Sequence, residues 1–369
     1  MMKVDVITRH AVANYGSILQ ALATQQLIEE LGYECELIDY IRTDENYYNR
    51  ERTLLARKEN WKSNYLKREI YLILRVPESI IAGKYFERTR KKLLKLTKKY
   101  TSINDLIGDC PKADIYITGS DQVWGKTENE EYDSAYCLSF TNGKKMSYAA
   151  SFGNVINDKR TNEFFSEYLS SYSSILVRED TAVKYLQGLG LNAMQVLDPT
   201  LIFGCEYWNQ YIETINDKGY ILIYQLHNDS RLDEIAKKIA IVEHKRLIRI
   251  SATLHQILRN GRFKYLPTIG EFLGYINNAD LMVTDSFHGT AFAINFQTQF
   301  IEILPNSNTE ERNKSILRCF GLSERIVSSY EEYSKLNNPI DYKRVNKVLE
   351  EQRAFSIDLL KDNLKKAED

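Results

Sequence analysis

Long apolar runs are the first thing this sequence does without. No stretch approaches the roughly 20 residues that a membrane-spanning helix needs, although 43% of the 369 residues are hydrophobic. Cysteine is sparse and unpatterned. Cys35, Cys110, Cys137, Cys205 and Cys319 are odd in number and far apart, with no C-x-x-C pair, so neither a zinc cage nor a disulfide framework is expected. Six prolines and 17 glycines leave no room for a low-complexity or collagen-like tract. Familiar ligand motifs are missing as well: no G-x-x-x-x-G-K-[ST] phosphate loop, no G-x-G-x-x-G after the first strand, no G-x-S-x-G, no H-E-x-x-H, and no D-x-D to hold a metal on a nucleotide-sugar. Neither a metal nor a cofactor is therefore expected. The opening residues run straight into a strand pattern without a signal-peptide core, which reads as a cytoplasmic protein.

What remains is the composition of a globular chain long enough for two domains. The formal charge of −1 conceals an asymmetry. Between Arg42 and Tyr100 stand 17 Lys and Arg against 7 Asp and Glu, a local excess of +10 that leaves −11 elsewhere. A split of this kind marks a surface that meets anions. With the rest acidic and no reading module present, nucleic acid is not an expected partner.

Strand and helix patterns alternate along the chain, the signature of parallel α/β sheets. Strands are expected at 3–8, 35–40, 115–118, 146–150, 175–177 and 194–197, and again at 220–226, 247–250, 281–284 and 299–303. The first helix runs to about Leu31, with Ser17 as its cap and Gly32 as its stop. Residues 44–100 break the rhythm and read as a helical, basic insertion. The division is then an N-terminal Rossmann-like domain at 1–210 carrying that insertion, a second Rossmann-like domain at 211–335, and a C-terminal helix at 336–369. Ligands of open parallel sheets bind outside the strands' C-terminal ends, so chemistry is expected in the cleft between the domains.

Four strand-to-helix junctions carry suitable residues. After the strand at 281–284 comes Asp285-Ser286-Phe287-His288-Gly289-Thr290. A helix start there presents amides to a phosphate, and His288 can move a proton near neutral pH. Arg178, followed by Glu179 and Asp180, can grip a carboxylate or phosphate in two-pronged fashion, although an Arg–Glu surface pair would look the same. Gly119-Ser120-Asp121-Gln122-Val123-Trp124 offers hydrogen-bonding groups for hydroxyls and an indole on which a sugar could stack; a capped helix start with a core tryptophan is the plainer alternative. Asn14-Tyr15-Gly16-Ser17 is a turn that can approach a ligand closely. Asp198-Pro199-Thr200 reads as an architectural turn.

Taken in order, these segments, together with Tyr148–Gly153 and Asn313–Arg325, resemble the polysaccharide pyruvyl transferase family. The likeness implies two Rossmann-like domains in the manner of the GT-B glycosyltransferases, with the active site between them. It also implies transfer of the pyruvyl group of phosphoenolpyruvate to a sugar of a lipid-linked saccharide precursor, giving a pyruvate ketal in capsule or exopolysaccharide synthesis. His288 matches the family's motif histidine, the general acid and base, and Arg178 its motif arginine, the anion clamp. Asn14, Tyr15, Gly16, Ser17, Asp121, Gln122, Ser286, Gly289 and Thr290 would bind substrate, with the amides of Gly289 and Thr290 on the phosphate. The basic insertion would then rest against anionic lipid at the inner face of the plasma membrane. Two other readings suit the same features: a GT-B nucleotide-sugar glycosyltransferase, and a non-catalytic sugar- or phosphate-binding module.

Overall fold

A computed structural model describes residues 1–43, 45–57, 65–127, 131–305, 310–336 and 338–368. The first sheet contains β1 (Lys3–Ile7), β2 (Glu34–Tyr40), β3 (Leu96–Tyr100), β4 (Ile115–Thr118), β5 (Lys144–Ala150), β6 (Ser174–Val177) and β7 (Ala193–Gln195). Its spatial order is β3-β2-β1-β4-β5-β6-β7. The second contains β8 (Tyr220–Tyr224), β9 (Arg246–Ser251), β10 (Arg262–Tyr265), β11 (Leu281–Thr284) and β12 (Phe300–Glu302), ordered β10-β9-β8-β11-β12. Every neighbouring pair is parallel. Helices cover both faces, so the central strands are buried on both sides and read as near-continuous apolar runs, as in Tyr220-Ile221-Leu222-Ile223-Tyr224.

Two strands escape the sequence pattern, and both are edges. β3 lies at the end of the stretch read as wholly helical, and β10 falls where no element was expected. β3 carries Lys98 and Lys99, and β10 carries Arg262 and Lys264. An edge strand keeps one side in water, tolerates such charges and is protected by them from pairing with another chain, so it lacks the apolar signature. The rest of the insertion is helical as read, in Arg50–Arg57 and the long Tyr65–Leu93.

The helix Tyr15–Glu30 is capped by Asn14, whose side-chain oxygen accepts from the Gly16 amide at 2.8 Å. The expected cap, Ser17, lies inside the first turn and is used elsewhere. Thirteen of the helix's 16 residues are buried, because it lies between its own sheet and the second domain rather than on a surface. Tyr15 carries much of that contact: its ring stacks on Phe272 at 4.5 Å and its hydroxyl donates to the Pro267 carbonyl at 2.7 Å.

The chain ends by crossing back. The helix Tyr342–Glu368 leaves the second domain and closes on the first. Ser356 Oγ accepts from the Leu197 amide at 3.0 Å, Arg353 Nε donates to the Leu201 carbonyl at 2.6 Å, and Lys144 Nζ donates to the Glu368 carbonyl at 3.1 Å. Leu349, Leu360 and Leu364 fill the seam. A Leu360→Ala substitution is expected to cost about 2–5 kcal/mol, the usual range for a buried leucine. Chemical denaturation measures it; a loss below about 1 kcal/mol would mean that this helix is not part of the folded core.

Candidate functional site

Each sheet reverses its winding direction once, at β1/β4 in the first and at β8/β11 in the second. At such a point neighbouring loops leave in opposite directions and open a crevice. Asn14–Ser17 follows β1, Ser120–Gln122 follows β4, and Asp285–His288 follows β11. The sequence-predicted residues therefore meet because the topology brings both crevices to the interdomain seam.

The hub is the carboxylate of Asp198. Its Oδ2 accepts from Arg178 Nη1 at 2.8 Å and from Ser120 Oγ at 2.8 Å, and lies 3.8 Å from His288 Nε2. Its Oδ1 accepts the amide and hydroxyl of Thr200 at 3.0 and 2.7 Å, capping the short helix Pro199–Ile202. Asp198 is thus both architectural and central to the site. Arg178 also reaches Glu179 through Nε at 3.1 Å, and Ser151 Oγ holds that same Glu179 oxygen at 2.6 Å. The guanidinium lies 4.0 Å from the centre of the Phe287 ring, across the domain boundary. Among the described residues, Arg178 Nη2 and His288 Nε2 are buried without a hydrogen-bond partner. Both can donate to an anionic ligand, and beside them Glu179 Oε2 and Asn313 Oδ1 are likewise buried without a partner.

Gly16 explains how His288 gets so close. A Cβ at this position would overlap the imidazole ring, so only glycine allows the first-domain turn to lie against it. Beyond the turn, Ser17 Oγ donates to Asp121 Oδ2 at 2.7 Å, and the Gln122 amide donates to Asp121 Oδ1 at 2.7 Å. Asp121 has φ +76°, a left-handed conformation that a residue with a Cβ adopts only under constraint. The constraint comes from those two bonds and from the Ser151 amide, which donates to the Asp121 carbonyl at 3.1 Å.

Burial lowers the pKa of His288, with Arg178 and Arg312 acting in the same sense against Asp198 and Asp121, which favours the neutral imidazole. Burial opposes ionisation of Asp198, but His288, Arg178 and the Thr200 bonds outweigh it and hold the carboxyl at about 2. Glu302, at the end of β12, behaves oppositely: burial pushes it to about 8, against the bonds from Thr290 and Asn313. Thr290 Oγ1 and Asn313 Nδ2 both donate to it, so Glu302 ties the helix of His288 (Phe287–Phe296) to the helix that starts at Glu310 and carries Arg312. Arg312 is close enough to Arg178, Asp121 and Glu179 to feel their charges. Nothing in its sequence context, a polar helix start after a loop, singled it out.

Several expectations are corrected. Gly289 N donates to Ser286 Oγ at 3.2 Å and Thr290 N to the Ser286 carbonyl at 2.9 Å, so both amides expected on a phosphate are used within the helix cap. Ser286 is that cap rather than a ligand group. Trp124 is no sugar platform: it is buried among Phe152, Phe165 and Tyr172, with its indole N–H on the Tyr136 carbonyl at 3.1 Å. The ring and hydroxyl of Tyr15 belong to the domain contact. Gln122 stays half-buried beside Gly125 and Gly153. Among the described residues, no group of three or more His, Cys, Asp or Glu side chains is arranged to hold a metal ion.

Next to this cluster lies a cavity of about 350 Å³, bounded by Arg9 and Asn14 of the first domain, Tyr71 and Arg75 of the insertion, and Gln225 and His255 of the second domain. Arg178 and His288 do not line it. Asn14 and Tyr15 do, and the turn to Gly16 connects cavity and cluster.

The sequence model of the polysaccharide pyruvyl transferase family matches residues 14–308. No curated protein sequence matches significantly. Similar solved structures include UDP-GlcNAc 2-epimerase from Neisseria meningitidis bound to UDP-GlcNAc, with TM-score 0.52 and 10% identity, covering 99% of this chain and 100% of that one. An O-GlcNAc transferase mutant of Thermobaculum terrenum has TM-score 0.50 and 12% identity; the match covers 99% of this chain but only 66% of that longer one. At these identities the likeness is one of fold, the GT-B-like pair of Rossmann-like domains.

Two substitutions test the geometry. Gly16→Ala should displace the imidazole, so His288 would react with diethyl pyrocarbonate at a changed rate in a protein that still folds; an unchanged rate would show that the contact is dispensable. For Glu302 the sign follows from its raised pKa: the stability it gives is complete below about 4.5 and drains away as pH rises through about 8. Glu302→Gln should therefore flatten the fall in melting temperature between pH 5 and pH 9. Parallel curves for the two proteins would rule out a buried, proton-holding carboxyl.

Proposed function

Because the chain belongs to the polysaccharide pyruvyl transferase family, we propose that it moves the pyruvyl group of phosphoenolpyruvate onto two hydroxyls of a saccharide, releasing inorganic phosphate and leaving a cyclic ketal. The observation that carries this reading is the meeting of Arg178 and His288, from different domains, at Asp198, each with one buried nitrogen left unbonded among the described residues.

Phosphoenolpyruvate carries a carboxylate and a phosphate on a compact frame. Arg178, fixed by Asp198 and Glu179, grips one of these anions through Nη2, with Arg312 nearby as a second cation. His288 delivers a proton to the methylene carbon, making C2 electrophilic, and a sugar hydroxyl adds there. Phosphate then leaves, and a second hydroxyl closes the ring. Of the two hydroxyl protons, one is in effect transferred to the new methyl group through the imidazole, and the other departs with phosphate. A neutral imidazole in the free protein is the right starting state for a group that must both take and give a proton. The adjoining cavity receives the acceptor, since Tyr71, Arg75 and His255 give it the mix of ring faces and hydrogen-bonding groups that saccharides require. The acceptor is lipid-linked in this reading, and the enzyme works at the inner face of the plasma membrane in capsule or exopolysaccharide synthesis.

The test incubates the protein with phosphoenolpyruvate and a lipid-linked saccharide fraction, following phosphate release and the ketal by mass spectrometry. His288→Gln and Arg178→Ala are each expected to lower the rate by about 100-fold or more. Calorimetry in two buffers of different ionisation enthalpy should show proton uptake when phosphoenolpyruvate binds, because the anion raises a histidine pKa that burial had lowered. His288→Gln should abolish that uptake. Transfer from a nucleotide-sugar instead, or wild-type rates in both variants, would refute the assignment.

A further inference from the structure

The long helix of the insertion, Tyr65–Leu93, has two working sides. Tyr71, Arg75, Glu78, Ser79, Ala82 and Gly83 face inward and wall the cavity. Arg75 pairs with Glu78 at 2.6 Å and approaches His255 of the second domain at 3.4 Å, while Glu78 accepts from the Leu254 amide. At 100° per residue, and apart from Tyr65 and Lys67 at the helix start, the exposed positions fall on the opposite side in one stripe. Its first half is apolar: Leu66, Ile70, Ile73, Leu74 and Ile81 are between 51% and 70% exposed. Its second half is cationic: Lys84, Arg88, Lys91 and Lys92 are all exposed. The helix's acids keep off the stripe. Glu78 is buried, and Glu69 and Glu87 sit half-buried on its flanks, Glu87 bonded to Tyr47 at 2.7 Å.

We propose that this stripe is a membrane-docking surface whose occupant is the interface of an anionic bilayer, with the apolar half immersed among acyl chains and the cationic half on lipid phosphates. Five large aliphatic side chains exposed in a row on a soluble domain mark a contact. The charges beside them choose the partner. Lys91 is paired with Glu87 of its own helix at 2.7 Å, which leaves Lys84, Arg88 and Lys92 to the partner: a second copy of the chain would set these cations against one another with no acid on the stripe, whereas anionic headgroups answer each one. Among the described residues no helix is long and apolar enough to cross a membrane, and the apolar half spans only about 23 Å. The helix therefore lies in the plane of the interface. Its inward side then holds the cavity one helix diameter from the lipid, within reach of a sugar still attached to its lipid carrier. The purpose of docking rests on the lipid-linked acceptor proposed above; the docking itself is measured without any transfer.

The full chain is to be co-sedimented with phosphatidylcholine vesicles, with and without phosphatidylglycerol. Strong recovery only on the anionic vesicles is expected. Lys84→Gln, Arg88→Gln and Lys92→Gln should each weaken it about fivefold, the value of one juxtamembrane charge. Joint replacement of Ile70, Ile73 and Leu74 by Asn should abolish it, with circular dichroism unchanged. Equal recovery on both vesicle types would overturn the proposal. So would a wild-type dimer in analytical ultracentrifugation that the Asn variant returns to monomer, for the stripe would then belong to a second copy. Anionic binding without pyruvyl transfer would leave this surface standing and remove the donor assignment; transfer without binding would do the reverse.

Discussion

An ionised carboxylate with almost no solvent around it is the constraint from which the rest of this site follows. Asp198 is 1% exposed, and burying such a charge is prohibitive unless cations and hydrogen-bond donors replace water. Arg178, Ser120 and Thr200 supply them, drawn from the ends of β6 and β4 and from the helix that Asp198 itself caps. The compensation fixes Arg178 in one rotamer. Two of its nitrogens are committed to carboxylates, and its plane lies against Phe287 of the other domain. An arginine so held loses little side-chain freedom when an anion arrives, which is what preorganisation means in a binding site.

The seam between the domains is equally specific. Gly16 against the His288 ring, Tyr15 against Phe272, Arg178 under Phe287, and Asn295 Nδ2 on the Thr200 carbonyl at 2.7 Å all join the two domains, the first of them beside the β1/β4 reversal. The Tyr342–Glu368 helix returns to the first domain at that last contact, where Arg353 Nη2 donates to Asn295 Oδ1 at 2.8 Å.

What the sequence disclosed and what it hid divide along physical lines. Buried parallel strands announce themselves because both faces are apolar; the edge strands β3 and β10 do not, because water on one side lets in Lys98, Lys99, Arg262 and Lys264. Arg178 and His288 were legible because each stands at a strand's C-terminal end among small polar residues. The central place of Asp198 was not, since an Asp-Pro-Thr turn looks the same whether or not its second carboxylate oxygen is in use. Trp124 was over-read: an aromatic near a site loop is as easily core as platform, and only packing separates the two. The Gly289 and Thr290 amides were over-read for a related reason, since Ser286 two positions before His288 could cap the helix and did. Arg312 and Glu302 act across space from separate elements and leave no local pattern.

The chain divides its working groups between domains in a way that orders the proposed reaction. Arg178, Glu179, Asp198 and Ser120 all belong to the first sheet's loops and stay together however the domains sit. His288, Phe287 and Arg312 belong to the second. Arg178 and His288 are 4% and 5% exposed, so the proposed reaction requires the domains to part before a substrate reaches them. Parting breaks the Gly16–His288 and Arg178–Phe287 contacts and leaves the Arg178–Asp198 pair whole. In such an open state the proposed anion clamp, Arg178, would be available while the proposed proton donor, His288, would not. In the proposed reaction phosphoenolpyruvate would dock on Arg178 before the imidazole is near its methylene, and closure would bring His288 up while expelling the water that would otherwise capture the activated carbon. The proposed acceptor, in the cavity on the far side of the Asn14–Gly16 turn, would be the nucleophile left in reach.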